Sequence, residues 1–205
     1  MEWKLIDVKK ETDHPFLNYF TLTYDVLKKD GHHKYNYYMA SRKEKDSLRP
    51  VTNEYKNPDG VIIPTLYKNP DDNKLYFVFN CQFRPAINTR VYSVPAGLVD
   101  NNDSIEETAI REVQEEAGAH VIKTKILSKA CPTSSGLSDE FNAVVLTLVD
   151  KFTKQNLEEF EEITTSLVPV EEARDFIDDH FFAFQAKFLI LYIIELIEKG
   201  EEFFK

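Results

Sequence analysis

The sequence lacks the features that mark secreted and membrane proteins. It has only two cysteines, Cys81 and Cys131, with no CxxC pair, so we expect no disulfide framework and a reducing compartment. The N-terminus has no apolar segment typical of a secretory signal. The most apolar run, Phe188–Ile197, is too short to span a bilayer and contains Glu195. These absences predict a cytoplasmic protein without a membrane partner.

Basic residues are also fewer than acidic ones. Lysine and arginine total 25 against 35 acidic residues, which gives a net charge of −10. We therefore expect no nucleic-acid partner, since non-specific binding needs a basic face. An anionic substrate is still allowed, because a bound divalent cation inverts the local field. With 42% hydrophobic and 29% charged residues, the composition is that of a globular protein with one core or one domain plus a small appendage.

Strand patterns dominate the first two thirds of the chain. Aromatic and β-branched residues flank the turn KDGHH and predict a small β module over residues 1–52, followed by a main domain over residues 53–205. Further strands are predicted over Gly60–Tyr67, Leu75–Arg84, Thr89–Gly97, residues 121–132 and Phe141–Asp150. Pro95 and Gly97 are expected to stop the third of these.

One central helix and two C-terminal helices complete the pattern. Ser104 and Glu107 form a capping box that starts the central helix near Ile105, and Gly118 ends it. Its apolar face is predicted from helical spacing to contain Ile105, Ala109, Ile110, Val113 and Ala117. The C-terminal helices are predicted within VEEARDFIDD and FQAKFLILYIIELIEKG. Strands interrupted by one helix and followed by two predict an α/β or α+β sandwich.

Three glutamates on the central helix raise the question of function. Glu112, Glu115 and Glu116 are spaced i, i+3, i+4 and so share one helix face. The ordinary interpretation is a solvated acidic face, with Arg111 and Lys123 supplying compensation. The alternative is a site for a hard divalent cation such as Mg²⁺, which takes oxygen ligands.

The residues from Gly97 to Ala119 resemble the Nudix box, G-x5-E-x7-R-E-U-x-E-E-x-G-U, where U is a bulky aliphatic residue. Two positions depart from it: Asp103 replaces glutamate, and Ala119 is smaller than usual. The resemblance implies a Nudix α/β/α sandwich with a mixed sheet, preceded by the small N-terminal module. It also implies a hydrolase that cleaves diphosphate bonds with Mg²⁺ or Mn²⁺.

The box also implies roles for particular residues. Glu112 and Glu116 become the principal metal ligands, with Glu115 beside them and the carbonyl of Ala96 as a further ligand. Arg111 is expected to orient the glutamates and, with Glu115, to assist catalysis. Arg111 is equally interpreted as an i,i+4 partner of Glu107 or Glu115. Asp103 is expected to act as a shortened brace that caps the helix start.

Segments outside the box resemble the ADP-ribose pyrophosphatase branch of the family. They are QFRPAINTRVYSVPAGLVD (Gln82–Asp100), SSGLSDE (Ser134–Glu140) and EFEEI (Glu159–Ile163). The resemblance implies that the N-terminal module helps to form a homodimer and completes the substrate pocket. The substrate-binding residues it implies are Arg84, Gly97, Leu98, Ser135, Gly136 and Glu140.

Several of these residues have ordinary alternatives. Arg84 either closes a strand as a surface charge or binds a phosphate through its guanidinium. Glu140 is a substrate contact, a metal contact or a loop carboxylate. The glutamates between Leu157 and Ile163 form a solvated charge run or supply a general base, for which Glu159 aligns best and Glu162 second.

Two departures bear on the substrate. The branch usually carries proline where this chain has Ser135, and glutamate where it has Ser93. The predicted function is a Mg²⁺-dependent pyrophosphatase acting on a small-molecule nucleoside diphosphate derivative. ADP-ribose, cleaved to AMP and ribose 5-phosphate, or an ADP-sugar is favoured. The alternatives are a Nudix hydrolase of another nucleotide sugar or dinucleotide, and a Nudix domain that senses ADP-ribose without hydrolysing it.

Overall fold

Alternating apolar and polar residues build a three-stranded antiparallel sheet at the start of the chain. The computed structural model describes residues 1–100 and 103–204. The sheet consists of β1 (Glu2–Lys10), β2 (Asn18–Lys28) and β3 (Gly31–Ser41), in that order. One face is apolar because side chains alternate along each strand. Its buried members include Val8, Phe20, Leu22 and Met39, which pack with Leu48.

The described chain divides into two units by its internal contacts. The first consists of Met1–Asp59 together with Ala130–Asn142, and the second of Gly60–Lys129 together with Ala143–Lys205. The first unit contains the three-stranded sheet and the short helix α1 (Arg49–Thr52). The division predicted at residue 52 stays a prediction.

The second unit is built on a mixed eight-stranded sheet. Its path is β11-β6-β5-β10-β4-β8, with β7 paired to β6 and β9 to β10. β5 and β10 are parallel, whereas β6 runs antiparallel to β5, β7 and β11. The strands are β4 (Gly60–Ile62), β5 (Thr65–Lys68), β6 (Leu75–Arg84), β7 (Thr89–Ser93), β8 (Ala96–Leu98), β9 (Ala119–Pro132), β10 (Phe141–Phe152) and β11 (Ile163–Pro169).

Helices cover both faces of this sheet. Alternation along β6 directs Val78 to a core shared with α2 (Ile105–Ala117), and Phe77 and Phe79 to the opposite core. That opposite core is completed by α3 (Ala173–Asp179) and α4 (Phe184–Glu198). The predicted α/β/α sandwich with a mixed sheet is confirmed. Within the ranges described, no helix is both long and apolar enough to cross a membrane.

The boundaries of α2 agree with its sequence signals, but its buried face differs in one place. Ser104 and Glu107 form the reciprocal capping box, and Gly118 ends the helix at φ +63°. The prediction that Ile110 belongs to the buried face is wrong, since its side chain is 44% exposed while Thr108 is fully buried. Thr108 and Ile110 each lie about 100° around the helix axis from Ala109, on opposite sides, so the position of the neighbouring sheet decides which of the two is buried.

Two strand predictions also need correction, and one strand was not predicted. The single strand expected over Gly60–Tyr67 is two strands, β4 and β5, interrupted at Ile63 and Pro64. The single strand expected over Thr89–Gly97 is two strands, β7 and β8, interrupted at Val94 and Pro95. Pro95 has no N–H to donate to a ladder, while its carbonyl accepts from the Ile63 N–H at 2.9 Å. Gly97 therefore lies inside β8 and does not stop a strand. β11 is not anticipated by the patterns above, because ITTSLVP has no clear alternation.

Candidate metal and diphosphate site

Glu112, Glu115 and Glu116 are presented by α2 beside β8. Because Ser104 fixes where the helix begins, these glutamates fall on the turns that pack against β8 and the end of β6. Glu112 is half-buried, and Glu116 is only 7% exposed. Carboxylates seldom occupy such positions without a charged or hydrogen-bonding partner.

Arg111 supplies part of that compensation. Its Nη1 lies 2.8 Å from Glu112 Oε1 and 3.0 Å from Glu115 Oε2. Its Nη2 donates to the Leu98 carbonyl at 3.1 Å. One guanidinium therefore joins two glutamates of the helix to the strand before it, which fits the orienting role predicted for Arg111. The i,i+4 partner is Glu115, since Glu107 is used in the capping box.

Asp103 faces Arg111 rather than capping the helix. Its Oδ2 lies 3.8 Å from Arg111 Nε, which is too long for a hydrogen bond. Arg111 Nε is buried and lacks a hydrogen-bond partner within residues 1–100 and 103–204. The cap is provided by Ser104 instead.

Glu116 is held by two donors. The Asn80 side-chain amide and the Ala96 N–H each donate to its Oε2 at 3.0 Å. The pKa of Glu116 is raised to about 8, chiefly by burial and also by the charges of Glu112 and Glu161, although the Ala96 N–H lowers it. Burial also raises the pKa of Glu112, with Arg111 acting in the opposite direction. Both carboxyl groups therefore lie where water solvates their charged forms poorly.

An acidic loop after β10 approaches the same glutamates. Its root is fixed by the carbonyls that the end of α2 leaves free, which need partners from outside the helix. The Asn156 N–H donates to the Glu115 carbonyl at 2.9 Å, and the Thr153 N–H donates to the Gly118 carbonyl at 2.5 Å. Gln114 Nε2 also donates to Thr153 Oγ1 at 2.9 Å.

The loop and the helix enclose a polar cavity of about 300 Å³. It is lined by Asp100, Arg111, Glu112, Glu115, Asn156, Leu157, Glu158 and Glu161. Glu161 was not singled out by the sequence. Glu159 is exposed and is not among the lining side chains, and Glu162 pairs with Arg90. The assignment of the base to Glu159 or Glu162 is untested and stays a prediction.

The other predicted residues of the second unit lie next to Glu116 or Glu112. Arg84, at the end of β6, lines a small depression together with Ser93, Ala96 and Glu116. Gly97 packs directly on the Glu112 carboxylate. The Leu98 side chain is 50% exposed, while its carbonyl is held by Arg111.

Ser135, Gly136 and Glu140 belong to the first unit. They lie between β9 and β10, where the Gly136 carbonyl accepts from the Tyr37 hydroxyl at 2.8 Å. Glu140 forms an ion pair with Arg42. Within their own unit, these contacts fix the loop that carries the three predicted residues.

The donor set of the second unit suits Mg²⁺ or Mn²⁺, since it consists of carboxylate oxygens gathered on one helix face. Across the described ranges, no three Asp, Glu, His or Cys side chains already converge closely enough to hold one ion. Arg111 occupies oxygens of Glu112 and Glu115, so these side chains would have to turn toward a bound ion. Glu112, Glu115 and Glu116 are the residues that could hold it.

Substitution of Gly97 tests whether metal binding depends on the position of the Glu112 side chain. A Cβ at residue 97 would overlap the Glu112 carboxylate, so Gly97→Ala should displace that side chain while leaving the backbone undisturbed. We expect the affinity for Mn²⁺ to fall roughly 10- to 100-fold, with little change in the melting temperature measured in EDTA. Titration calorimetry with Mn²⁺ gives the affinity, and Glu112→Gln is the reference. Unchanged affinity in Gly97→Ala would mean that Glu112 is not needed at this position.

Comparison with known proteins shows the family of this chain. The NUDIX domain family model matches residues 56–189. The chain is 33% identical to an ADP-ribose pyrophosphatase of Saccharomyces cerevisiae, over 44% of this chain and 38% of the relative. It is 32% identical to an ADP-ribose pyrophosphatase of Bacillus subtilis, over 58% of this chain and 62% of the relative. A nudix hydrolase of Caenorhabditis elegans is 34% identical over 48% of this chain and 43% of its own length.

These matches span between about two fifths and three fifths of the relatives' lengths. A crystal structure described as an ADP compounds hydrolase superposes with a TM-score of 0.69 over 98% of this chain and 96% of that chain. The identity there is 14%, so that likeness supports the fold alone. The family model covers well over half of the chain and includes the glutamates of α2. The chain therefore belongs to the Nudix family.

Proposed function

We propose that this protein is a Mg²⁺- or Mn²⁺-dependent pyrophosphatase that hydrolyses a nucleoside diphosphate derivative. The observation that carries the proposal is the cavity between α2 and the acidic loop, where Glu112 and Glu115 face Glu158 and Glu161. ADP-ribose, cleaved to AMP and ribose 5-phosphate, or an ADP-sugar is the favoured substrate. The names of the yeast and Bacillus relatives support that choice.

In the proposed chemistry, the divalent cation and the protein side chains have different roles. When bound, a divalent cation would neutralise charge on the diphosphate oxygens and make phosphorus easier to attack. Glu116, with Glu112 and Glu115, holds it. Arg84 offers an exposed guanidinium beside Glu116, and this group suits a phosphate because it donates two parallel hydrogen bonds. Ala96 is proposed as a further ligand through its carbonyl.

Glu161 is favoured as the group that accepts the proton from the attacking water. It lines the cavity and interacts electrostatically with Glu112 and Glu116. We expect Glu161→Gln to lower kcat roughly a hundredfold or more, with Mn²⁺ affinity nearly unchanged.

Glu159→Gln and Glu162→Gln test the two sequence-based alternatives. Steady-state kinetics of the three variants under saturating Mg²⁺ give the comparison. If Glu159→Gln or Glu162→Gln loses more kcat than Glu161→Gln, the role returns to that residue. An exposed carboxylate that only carries surface charge should have little effect on kcat.

A substrate panel tests the function itself. The protein would be incubated with Mg²⁺ and ADP-ribose, ADP-sugars, other nucleotide sugars and dinucleotides, and the release of AMP or phosphatase-sensitive phosphate would be assayed. Preferential turnover of another substrate would select the alternative specificity. Tight ADP-ribose binding without any turnover would support the sensing domain and overturn the enzyme proposal.

A cytoplasmic homodimer formed through the N-terminal module is also proposed. Exposed aromatic side chains of that module, Trp3, Tyr35 and Tyr38, offer apolar surface for such contact. Light scattering on the full chain gives the mass. A monomer at micromolar concentration would contradict the dimer.

A further inference from the structure

The buried side of Glu116 carries a directed chain of hydrogen bonds that the proposed mechanism does not use. Both donors to the carboxylate, Asn80 Nδ2 and the Ala96 N–H, bond to the same oxygen, Oε2. Asn80 is 4% exposed and lies directly opposite Thr165 in the antiparallel pair of β6 and β11. The arrangement fixes how the carboxylate is turned, with Oε2 committed to the protein and Oε1 left for a ligand.

The direction of these hydrogen bonds is set by Thr165 and Gln155, which lie beyond Asn80. Gln155 Nε2 lies 3.3 Å from Thr165 Oγ1, and Thr165 Oγ1 lies 3.4 Å from Asn80 Oδ1. An amide N–H can only donate, so the Thr165 oxygen accepts from Gln155 and its own proton is free for Asn80 Oδ1. The amide of Asn80 then presents its NH2 group to Glu116.

The opposite orientation of Asn80 is unfavourable on two counts. A flipped amide would place Oδ1 against the Glu116 carboxylate, so two acceptors would face each other in a buried place. It would also remove the acceptor that Thr165 requires. The orientation therefore depends on Thr165 and Gln155, which belong to β11 and to the root of the acidic loop.

Gln155 is itself anchored at the end of α2. Its Nε2 donates to the Glu116 carbonyl and lies 3.3 Å from the Ile163 carbonyl. The side chain of Glu116 and its own backbone are thus held by one network, which reaches the helix from the strand and from the loop. Networks of this kind lose much of their effect when one member is removed.

We infer that Asn80 is a positioning residue for Glu116, and that Thr165 and Gln155 fix the direction of its amide so that one carboxylate oxygen stays available to a divalent cation. The inference rests on the proposed function, in which Glu116 binds the cation. It adds three residues that the box does not contain.

Thr165 offers the sharpest test, because valine has nearly its shape without the hydroxyl. We expect Thr165→Val to raise the dissociation constant for Mn²⁺ roughly tenfold or more, in line with the effect of groups that orient metal ligands. Asn80→Leu should do at least as much. Thr165→Ser keeps the hydroxyl and should restore an affinity close to that of the unsubstituted protein. Titration calorimetry with Mn²⁺ alone gives these constants without any turnover.

Thr164→Val is the matched control, since Thr164 is the exposed neighbour on the same strand. Thermal unfolding of every variant in EDTA separates positioning from a loss of stability, because a purely structural role would lower the melting temperature without a hydroxyl-dependent change in Mn²⁺ affinity. Equal Mn²⁺ affinity of Thr165→Val and Thr165→Ser would overturn the inference and leave the proposed function intact. Absence of Mn²⁺ binding by the unsubstituted protein would overturn both.

Discussion

Glu116→Gln is expected to slow metal-dependent hydrolysis severely while stabilising the metal-free protein at alkaline pH. Glutamine keeps an acceptor for the Asn80 and Ala96 donors at Oε2, so the fold should be retained. It removes the negative charge that binds the cation. A cation contributes several kcal/mol to such a reaction, and each 1.4 kcal/mol is about tenfold in rate, so kcat/KM should fall roughly a thousandfold. Steady-state kinetics over a range of Mg²⁺ concentrations check this.

The stabilising effect follows from the raised pKa of Glu116. The pKa is about 8 in the folded protein against 4.5 for a free carboxyl, so the folded state holds a proton that the unfolded state releases. The stability contributed by this group is fully present below about pH 4.5 and is lost as the pH rises to about 8. At pH 8 in EDTA, Glu116→Gln should therefore unfold with a free energy higher by on the order of a few kcal/mol.

Urea unfolding at pH 5 and pH 8 in EDTA gives this difference directly. Glu106→Gln, on the first turn of the same helix, is the control for loss of one carboxylate. Parallel pH dependence of the Glu116→Gln variant and the unsubstituted protein would contradict the raised pKa. Full activity of Glu116→Gln would contradict its role as a metal ligand.

Arg49→Ala is expected to cause the largest loss of stability in the first unit. The Arg49 side chain is almost completely buried. Its guanidinium donates to the carbonyls of Asp139 at 2.8 Å and Asn57 at 2.7 Å, and to Asp59 Oδ2 at 2.9 Å. It also lies 4.3 Å from the centroid of the Phe141 ring. Removing it leaves the carbonyls of Asp139, Glu54 and Asn57 without this donor, and each buried acceptor left unpaired costs about 1–3 kcal/mol. Asp59 keeps Lys43 and the Phe141 N–H as donors.

The only tryptophan, Trp3, makes this loss measurable. It lies on β1 and contacts the rings of Tyr24 and Tyr35, so its fluorescence reports on the first unit. We expect the urea midpoint followed by Trp3 to fall sharply in Arg49→Ala. Arg49→Lys should recover little, because an ammonium cannot supply the same fork of donors.

Arg42→Ala is the matched control, since Arg42 is a half-exposed arginine of the same unit with a single ion pair, to Glu140. An exposed pair of this kind contributes at most about 1 kcal/mol. Equal losses in Arg42→Ala and Arg49→Ala would show that burial of the Arg49 network contributes nothing.

Local signals determined most of the fold. The capping box at Ser104 and the stop at Gly118 set both ends of α2, because each depends on residues within one turn. The strand predicted over Leu75–Arg84 coincides with β6. β11 was missed because its sequence does not alternate clearly and the strand is stabilised by pairing with β6. Ile110 was misplaced because helical spacing alone does not say where the neighbouring sheet lies.

The candidate site was also predicted only in part from the sequence. Helix geometry places Glu112, Glu115 and Glu116 on one face, whereas the prediction of a metal site there rests on the resemblance to the Nudix box. The acidic loop could not be assigned from sequence. Its glutamates lie in a charge run without periodicity, so only the bonds of Thr153 and Asn156 to α2 decide which of them faces the cavity.

The sequence by itself therefore determined the helix, its carboxylates and the family to which they belong, because these depend on spacing along one segment. Tertiary structure alone decided the surroundings of those carboxylates. The burial of Glu116, its bonds to Asn80 and Ala96, and the entry of Glu161 into the cavity join segments far apart in the chain. Solvation and hydrogen bonding at a site depend on neighbours in space, and no pattern within a single segment records them.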